Sequence, residues 1–385
     1  MAAAPPAASY PSFSDREMAR RQAALAAAMA RAGVDQVVLY GSERSGGAVT
    51  WFTQWPVTRE AVVVWRPGER PVLLVQFANH VPNPRRMAQD AVVDWAGPVT
   101  AEAVAQRLRA RGAPGRVGLV GAVPARLHAR LAAAGAELVF LDEAYTSLRL
   151  VKSGEEIAWL RTGAELTDLA VQALVAGARP GLSEAELVAL LAGAYLGRGG
   201  TTHIHYLGVT GMAAPDGCVP AQWPSARRLL PGDALTCEIS ASWWGYPGQL
   251  LRTFAVAAPP TALYQELHRV ASAAFDALVA QLRPGATAID LARAASVVEA
   301  AGFTTCDDLV HGFGGGYLPP IVPGGGRPPS PGPPLSLVPG MALVVQPNVV
   351  TQDGRAGVQV GELFVITERG AESLHRFPWG LSEIG

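Results

Sequence analysis

Two histidines stand one residue apart in Thr201-Thr202-His203-Ile204-His205-Tyr206, and a third heads the string His311-Gly312-Phe313-Gly314. The ordinary pKa of imidazole lies close to neutrality, so each is a candidate to move a proton. Strand alternation puts His203 and His205 on one face, either as paired imidazoles at a cleft or as satisfied polar groups at a sheet edge. Glu238 follows the apolar run Ala234-Leu235-Thr236-Cys237. A carboxylate there needs a partner or a raised pKa. It serves as general base or cation clamp if it faces a cleft, and as half of an ion pair if it meets Arg252. Gln249 and Gln346 can fix a substrate by uncharged hydrogen bonds, and Glu362 is either a cleft residue or a solvent-facing strand residue. Trp243, Trp244 and Tyr246 share one turn and form either an aromatic wall for a ligand or hairpin packing. Cys218 beside a histidine would make a nucleophile, although a lone loop cysteine is more often inert.

The elements that must position these residues come twice. Arg179-Pro180-Gly181-Leu182-Ser183 and Arg283-Pro284-Gly285-Ala286-Thr287 each open a helix. Leu229-Leu230-Pro231-Gly232-Asp233-Ala234-Leu235 and Leu337-Val338-Pro339-Gly340-Met341-Ala342-Leu343 each open an apolar strand, ending at Glu238 and Gln346. Two copies are too few for a solenoid, so a pseudo-symmetric α+β domain is expected, with Glu238 and Gln346 at equivalent strand ends across a shared cleft. Capping boxes are predicted at Ser153–Glu156, Ser183–Glu186 and Thr287–Asp290. The proline- and glycine-rich segment 319–340 reads as a long loop without regular structure.

Before the repeat, strand patterns at 36–40, 61–65, 71–76, 117–120 and 138–141 alternate with helical ones near 15–33, 101–111 and 124–134. This predicts a small α/β domain with a partly parallel sheet. The length of 385 residues allows two domains, placed at 13–148 and 149–385 after a disordered tail over 1–12. A net charge of -1 argues against a nucleic-acid partner. No apolar run approaches the roughly 18 residues of a membrane span. Three cysteines without a pairing framework point to a reducing cytoplasm. Lys152 is the only lysine and precedes a helix on a polar stretch, which disfavours Schiff-base and pyridoxal phosphate chemistry.

Taken together, the duplicated half, the segments Lys152–Glu186 and Pro231–Thr253, His311-Gly312-Phe313-Gly314, the ending Val365-Ile366-Thr367 and the tail Arg376-Phe377-Pro378-Trp379-Gly380 resemble the "pita-bread" creatinase/prolidase/aminopeptidase P family. The resemblance covers nearly the whole chain. It implies an α+β pita-bread catalytic domain with an internal pseudo-two-fold, behind a smaller α/β creatinase-type domain, and a small-molecule substrate met by a homodimer. Peptidases of that family hold two divalent metals on two Asp, one His and two Glu. The matching positions here are Glu238, Gln249, His311, Gln346 and Gly361, with Glu362 adjacent. Amides are poor ligands for transition metals and glycine has no side chain, so no metal and no other cofactor is expected, as in creatinase. Creatinase's histidine segment resembles Asp216-Gly217-Cys218-Val219-Pro220, which lacks a histidine, and Leu251 stands where creatinase has a Glu, so creatine is disfavoured.

The resulting expectation is a metal-independent hydrolase of a C–N bond in a small polar molecule. His311, His203 or His205 moves the proton, and Glu238 activates water or clamps a cation. Gln249, Gln346, Glu362, Arg252, Tyr246 and Trp244 bind the substrate. The alternatives are a metal-dependent Xaa-Pro peptidase with a remodelled site, a lyase resembling dimethylsulfoniopropionate lyase, and a binding module without chemistry.

Overall fold

The computed structural model describes residues 10–43, 45–110, 112–328 and 335–385. Most of the tail expected over residues 1–12 lies outside them. The chain divides into two compact units, one ending at Arg149 and the other running from Leu150 to Gly385.

In the first unit, α1 (Asp15–Ala32) starts where the Ser14 hydroxyl accepts the Glu17 N–H and stops at Gly33, whose φ of 64° terminates the helix. There follow β1 (Gln36–Ser42), α2 (Gly47–Thr53), β2 (Glu60–Trp65), β3 (Val72–Val75), α3 (Pro82–Met87), β4 (Val92–Trp95), α4 (Thr100–Arg109), β5 (Arg116–Val120), α5 (Ala125–Ala133), β6 (Glu137–Phe140) and α6 (Asp142–Leu150). Six strands form one sheet in the order β4-β3-β2-β1-β5-β6. β1 runs antiparallel to β2 and parallel to β5, so the sheet is partly parallel, as the alternating pattern predicts. β4 escapes sequence reading because it is only four residues long and Asp94 interrupts its apolar run.

The second unit realises the repeat in its helices, its strands and the turns that join them. Its first copy holds α7 (Gly154–Gly177), α8 (Glu184–Tyr195), β7 (Thr201–Gly211), β8 (Asp233–Trp243), the short β9 (Tyr246–Pro247) and β10 (Leu250–Val256). Its second holds α9 (Ala262–Ala280), α10 (Ala288–Ala294), α11 (Val297–Ala300), β11 (Thr304–Thr305), β12 (Asp308–Gly312), β13 (Leu318–Pro323), β14 (Ala342–Val345), β15 (Val349–Val350) and β16 (Gly361–Thr367). β17 (Gly370–Ser373) and β18 (Ser382–Ile384) close the chain. All three predicted capping boxes form, at α7, α8 and α10. Gly181 N–H donates to the Leu229 carbonyl and Gly285 N–H to the Leu337 carbonyl, each at 2.8 Å. The bridges Ser183↔Arg228 and Thr287↔Ser336 match in the same way. The sheet path β13-β12-β14-β16-β10-β8-β7 is symmetric about the β16–β10 junction, apart from the extra edge strand β13. Each half buries its own apolar cluster, around Leu174, Leu191 and Leu235 in one and around Leu278, Leu291 and Leu343 in the other.

One expectation needs correction. Within the proline-rich segment 319–340, residues 319–323 belong to β13, which pairs antiparallel with β12. An edge strand accommodates Pro319, Pro320 and Pro323 because it bonds a neighbour on one side only. Residues 329–334 of that segment lie outside the described residues. Among the described residues no helix is long and apolar enough to cross a membrane.

Candidate active site

A cavity of about 530 Å³ opens on the face of the second unit's sheet where the two copies meet. β8 and β10 are antiparallel, with Leu251 opposite Glu238, so Glu238, Gln249 and Leu251 point to one side. Gln346 follows the end of β14, and its N–H donates to the Leu309 carbonyl of β12 at 2.9 Å, which brings His311 alongside. The cavity lining includes Glu238, Gln249, Gln346, His311 and His203. The repeat thus sets Glu238 and Gln346 at equivalent strand ends beside one cavity.

These side chains are joined. Gln249 Nε2 donates to Glu238 Oε1 at 2.6 Å and to Gln346 Oε1 at 3.2 Å. Gln346 lies beside the His311 ring on the same cavity and raises its pKa. Burial pushes the Glu238 carboxyl up to about 8, and the charge of Asp307 adds to the rise. Among the described residues no cation offsets this, and Arg252 lies on the opposite face of the sheet. Burial lowers His311 to about 4, against small upward effects from the Gly312 carbonyl and Gln346. Its Nδ1 lies 3.1 Å from the Gly312 carbonyl, which can only accept, so the proton resides on Nδ1 and Nε2 is the basic nitrogen. The ring stacks on Tyr317 at 4.0 Å, and the Tyr317 hydroxyl donates to Asp308 at 2.6 Å. Gly312 follows because a Cβ there would lie 2.4 Å from the Pro319 carbonyl oxygen.

His203 and His205 part company. The β7–β8 register slips between Thr202 and Ile204, making His203 the extra residue of a bulge. His203 lines the cavity, with Phe313 edge-on at 5.7 Å, and desolvation lowers its pKa. His205 instead points into the helix-covered side. Its Nε2 is bonded to the Tyr195 hydroxyl at 2.7 Å, and burial lowers it to about 4. Strand alternation fails here because the bulge breaks the period, and a one-residue insertion has no signature in this sequence.

Four more candidates lie elsewhere. Arg252 is opposite Cys237 on the far face, ion-paired with Glu362 and donating to the carbonyls of Gly361 at 3.1 Å and Pro378 at 3.2 Å. Glu362 also accepts from Ser373 Oγ at 2.7 Å. This pair holds the carboxyl-terminal segment, with Arg252 4.7 Å from the Trp379 ring, and does not reach the cavity. Tyr246 packs on α7, its hydroxyl donating to Glu156 at 2.8 Å and its ring edge-on to Trp159 at 5.6 Å. Trp244 sits in the β8–β9 turn with φ of 49° and does not line the cavity. The buried Lys152 donates to the Gly314 carbonyl at 3.0 Å, bracing the glycine string behind His311.

Sequence reasoning missed Asp307, Tyr206, Tyr317 and Gln359, all of which line the cavity. Asp307 is four residues before His311 and carries no pattern of its own. Its carboxyl accepts from the Asp308 N–H at 2.8 Å and from Asn348 at 3.1 Å, and burial raises its pKa.

The ligand positions implied by the family resemblance do not suit a dinuclear metal centre. They supply one carboxyl, one imidazole and two amides already bonded to each other. At Gly361 a Cβ would lie 2.5 Å from the Val345 carbonyl oxygen and 3.0 Å from Leu251 Cδ1, so the backbone excludes a side chain there. Glu362 beside it faces the other way. Among the described residues no group of three or more His, Cys, Asp or Glu is arranged to hold a metal ion.

Residues 158–368 match metallopeptidase family M24. The chain is 30% identical over 278 residues to the probable dipeptidase PepE of Mycobacterium tuberculosis, covering 69% of this chain and 70% of that protein. It is 25% identical over 392 residues to creatinase of a Bacillus species, covering 96% and 93%. The solved structure of dipeptidase PepE from Mycobacterium ulcerans superposes with a TM-score of 0.79 at 25% identity, over 97% of this chain and 100% of that one. An Xaa-Pro dipeptidase from Bacillus anthracis shares the fold, with a TM-score of 0.80 at 20% identity over 95% and 100%. A repeat-built α+β half with its cavity at the junction of the copies, and a match spanning most of that half, have one conclusion: the chain belongs to metallopeptidase family M24, in the prolidase/aminopeptidase P group of hydrolases.

Proposed function

We propose that this hydrolase cleaves a C–N bond of amide, amidino or guanidino type in a small polar molecule, using its own side chains and no bound metal. The observation that carries this reading is the hydrogen-bonded run Glu238–Gln249–Gln346, with His311 lining the same cavity, at the positions where the family resemblance implies metal ligands. With its pKa at about 8, Glu238 is protonated at neutral pH and is positioned to donate that proton to a departing nitrogen. Neutral His311, its Nδ1–H fixed by the Gly312 carbonyl, offers Nε2 to take a proton from the attacking water. The Tyr317 stack holds that ring in place, and Gln249 and Gln346 orient the substrate. The names of the dipeptidase relatives favour peptide substrates, and the metallopeptidase family description favours a metal-dependent second reading; the donor set favours the first.

Elemental analysis of protein purified without chelator, combined with assays of amide, ureide and Xaa-Pro substrates in EDTA and in added manganese, separates the two. Substoichiometric metal and chelator-resistant hydrolysis are expected. Two bound metals per chain, or proline release that requires manganese, would overturn the proposal.

A further inference from the structure

Gln359 lies in the segment leading into β16, and its backbone is clamped. Its N–H donates to Thr253 Oγ1 at 2.7 Å, and the Thr253 hydroxyl donates to its carbonyl at 3.1 Å. The side chain is treated differently. It is 1% exposed and lines the cavity, and among the described residues neither its Oε1 nor its Nε2 has a hydrogen-bond partner. Buried amides are normally satisfied, so a buried amide with open valences on a clamped backbone fits a group that arrives from outside.

The charges around the cavity narrow that group. Among the described residues its lining contains Glu238 and Asp307 but no Arg or Lys. Arg327, whose charge reaches Asp307, is itself bound to Asp308 at 2.9 Å. An incoming carboxylate would therefore meet two carboxyls and no cation. It would also offer only acceptors, leaving Gln359 Oε1 unpaired. An amidinium offers only donors and would leave the Gln359 N–H groups unpaired. A carboxamide or ureide edge presents C=O and N–H side by side, the complement of the Gln359 amide.

Building on the hydrolase reading, we propose that Gln359 is a specificity residue that pairs with an uncharged carboxamide or ureido group of the substrate, and that the site rejects a free carboxylate at that position. The test uses three probes of one shape, butyramide, butyrate and butyramidinium, titrated into the full chain at pH 7 by ligand-observed NMR. Butyramide should bind about tenfold more tightly than either relative, since a site built for a hydrogen-bonding group rejects the analogue lacking it. In Gln359→Leu that preference should vanish while the melting temperature holds or rises, because an unpaired buried amide has been removed. Gln359→Met provides the same test should the leucine variant fail to fold. Butyrate or butyramidinium binding as tightly as butyramide, amide preference surviving in either variant, or no binding of any probe at millimolar concentration would each overturn the assignment. Turnover is not required, so failure of the hydrolase reading would show separately, as amide-selective binding without hydrolysis.

Discussion

Replacing Glu238 with glutamine tests the electrostatics of the cavity directly. The folded protein holds a proton on Glu238 up to about pH 8, whereas the ordinary value is 4.5. Between those values the native state binds more protons than the unfolded chain, so its stability falls as pH rises. Stability is fully present below about 4.5 and declines toward about 8. At about 1.4 kcal/mol per pH unit, the ceiling on this loss is about 5 kcal/mol. Because Asp307 shares the interaction, about 2–4 kcal/mol is the expected size. Glutamine mimics the protonated carboxyl and keeps an acceptor for the 2.6 Å bond from Gln249. Glu238→Gln should therefore match the wild type near pH 5 and exceed it at pH 9 by that amount. Urea unfolding of both proteins at pH 5.5, 7 and 9 reads the difference, in which the contributions of other titrating groups largely cancel. The same variant has no proton to donate and should lose about 10²–10⁴-fold in kcat. Parallel pH profiles for the two proteins, or a variant weaker at pH 9, would refute the buried-acid argument.

His311→Gln should lower kcat by about 10²–10⁴-fold with little change in melting temperature; His311→Ala should in addition cost about 1–3 kcal/mol, since it leaves a buried void against Tyr317 that glutamine fills. His205→Phe should leave turnover within a few-fold of wild type and register only in thermal melts, because His205 bonds Tyr195 away from the cavity. Arg252→Met should cost about 3–5 kcal/mol by stranding Glu362 in a buried site, and the double variant Arg252→Met/Glu362→Leu should recover most of it in chemical denaturation.

Much of the fold could be read along the chain because its signals are local. A capping box is four residues long, so Ser153, Ser183 and Thr287 announce their helices without reference to anything distant. The paired Pro-Gly turns likewise expose the duplication, and that symmetry carries Glu238 and Gln346 to equivalent strand ends. Which side of the sheet a residue faces is not local. A bulge at His203 reverses the expectation for His205, and a single step along β16 sends Glu362 to Arg252 and away from the cavity. Asp307 and Gln359 acquire meaning only when strands distant in sequence converge, since neither belongs to a motif and each is defined by what lies across the cavity. The sequence by itself therefore determined most of the elements and their duplication, and it put two amides and a glycine where the family resemblance implies metal ligands. Tertiary structure alone decided which polar groups are buried without a counter-charge, because desolvation depends on neighbours that chain order does not reveal.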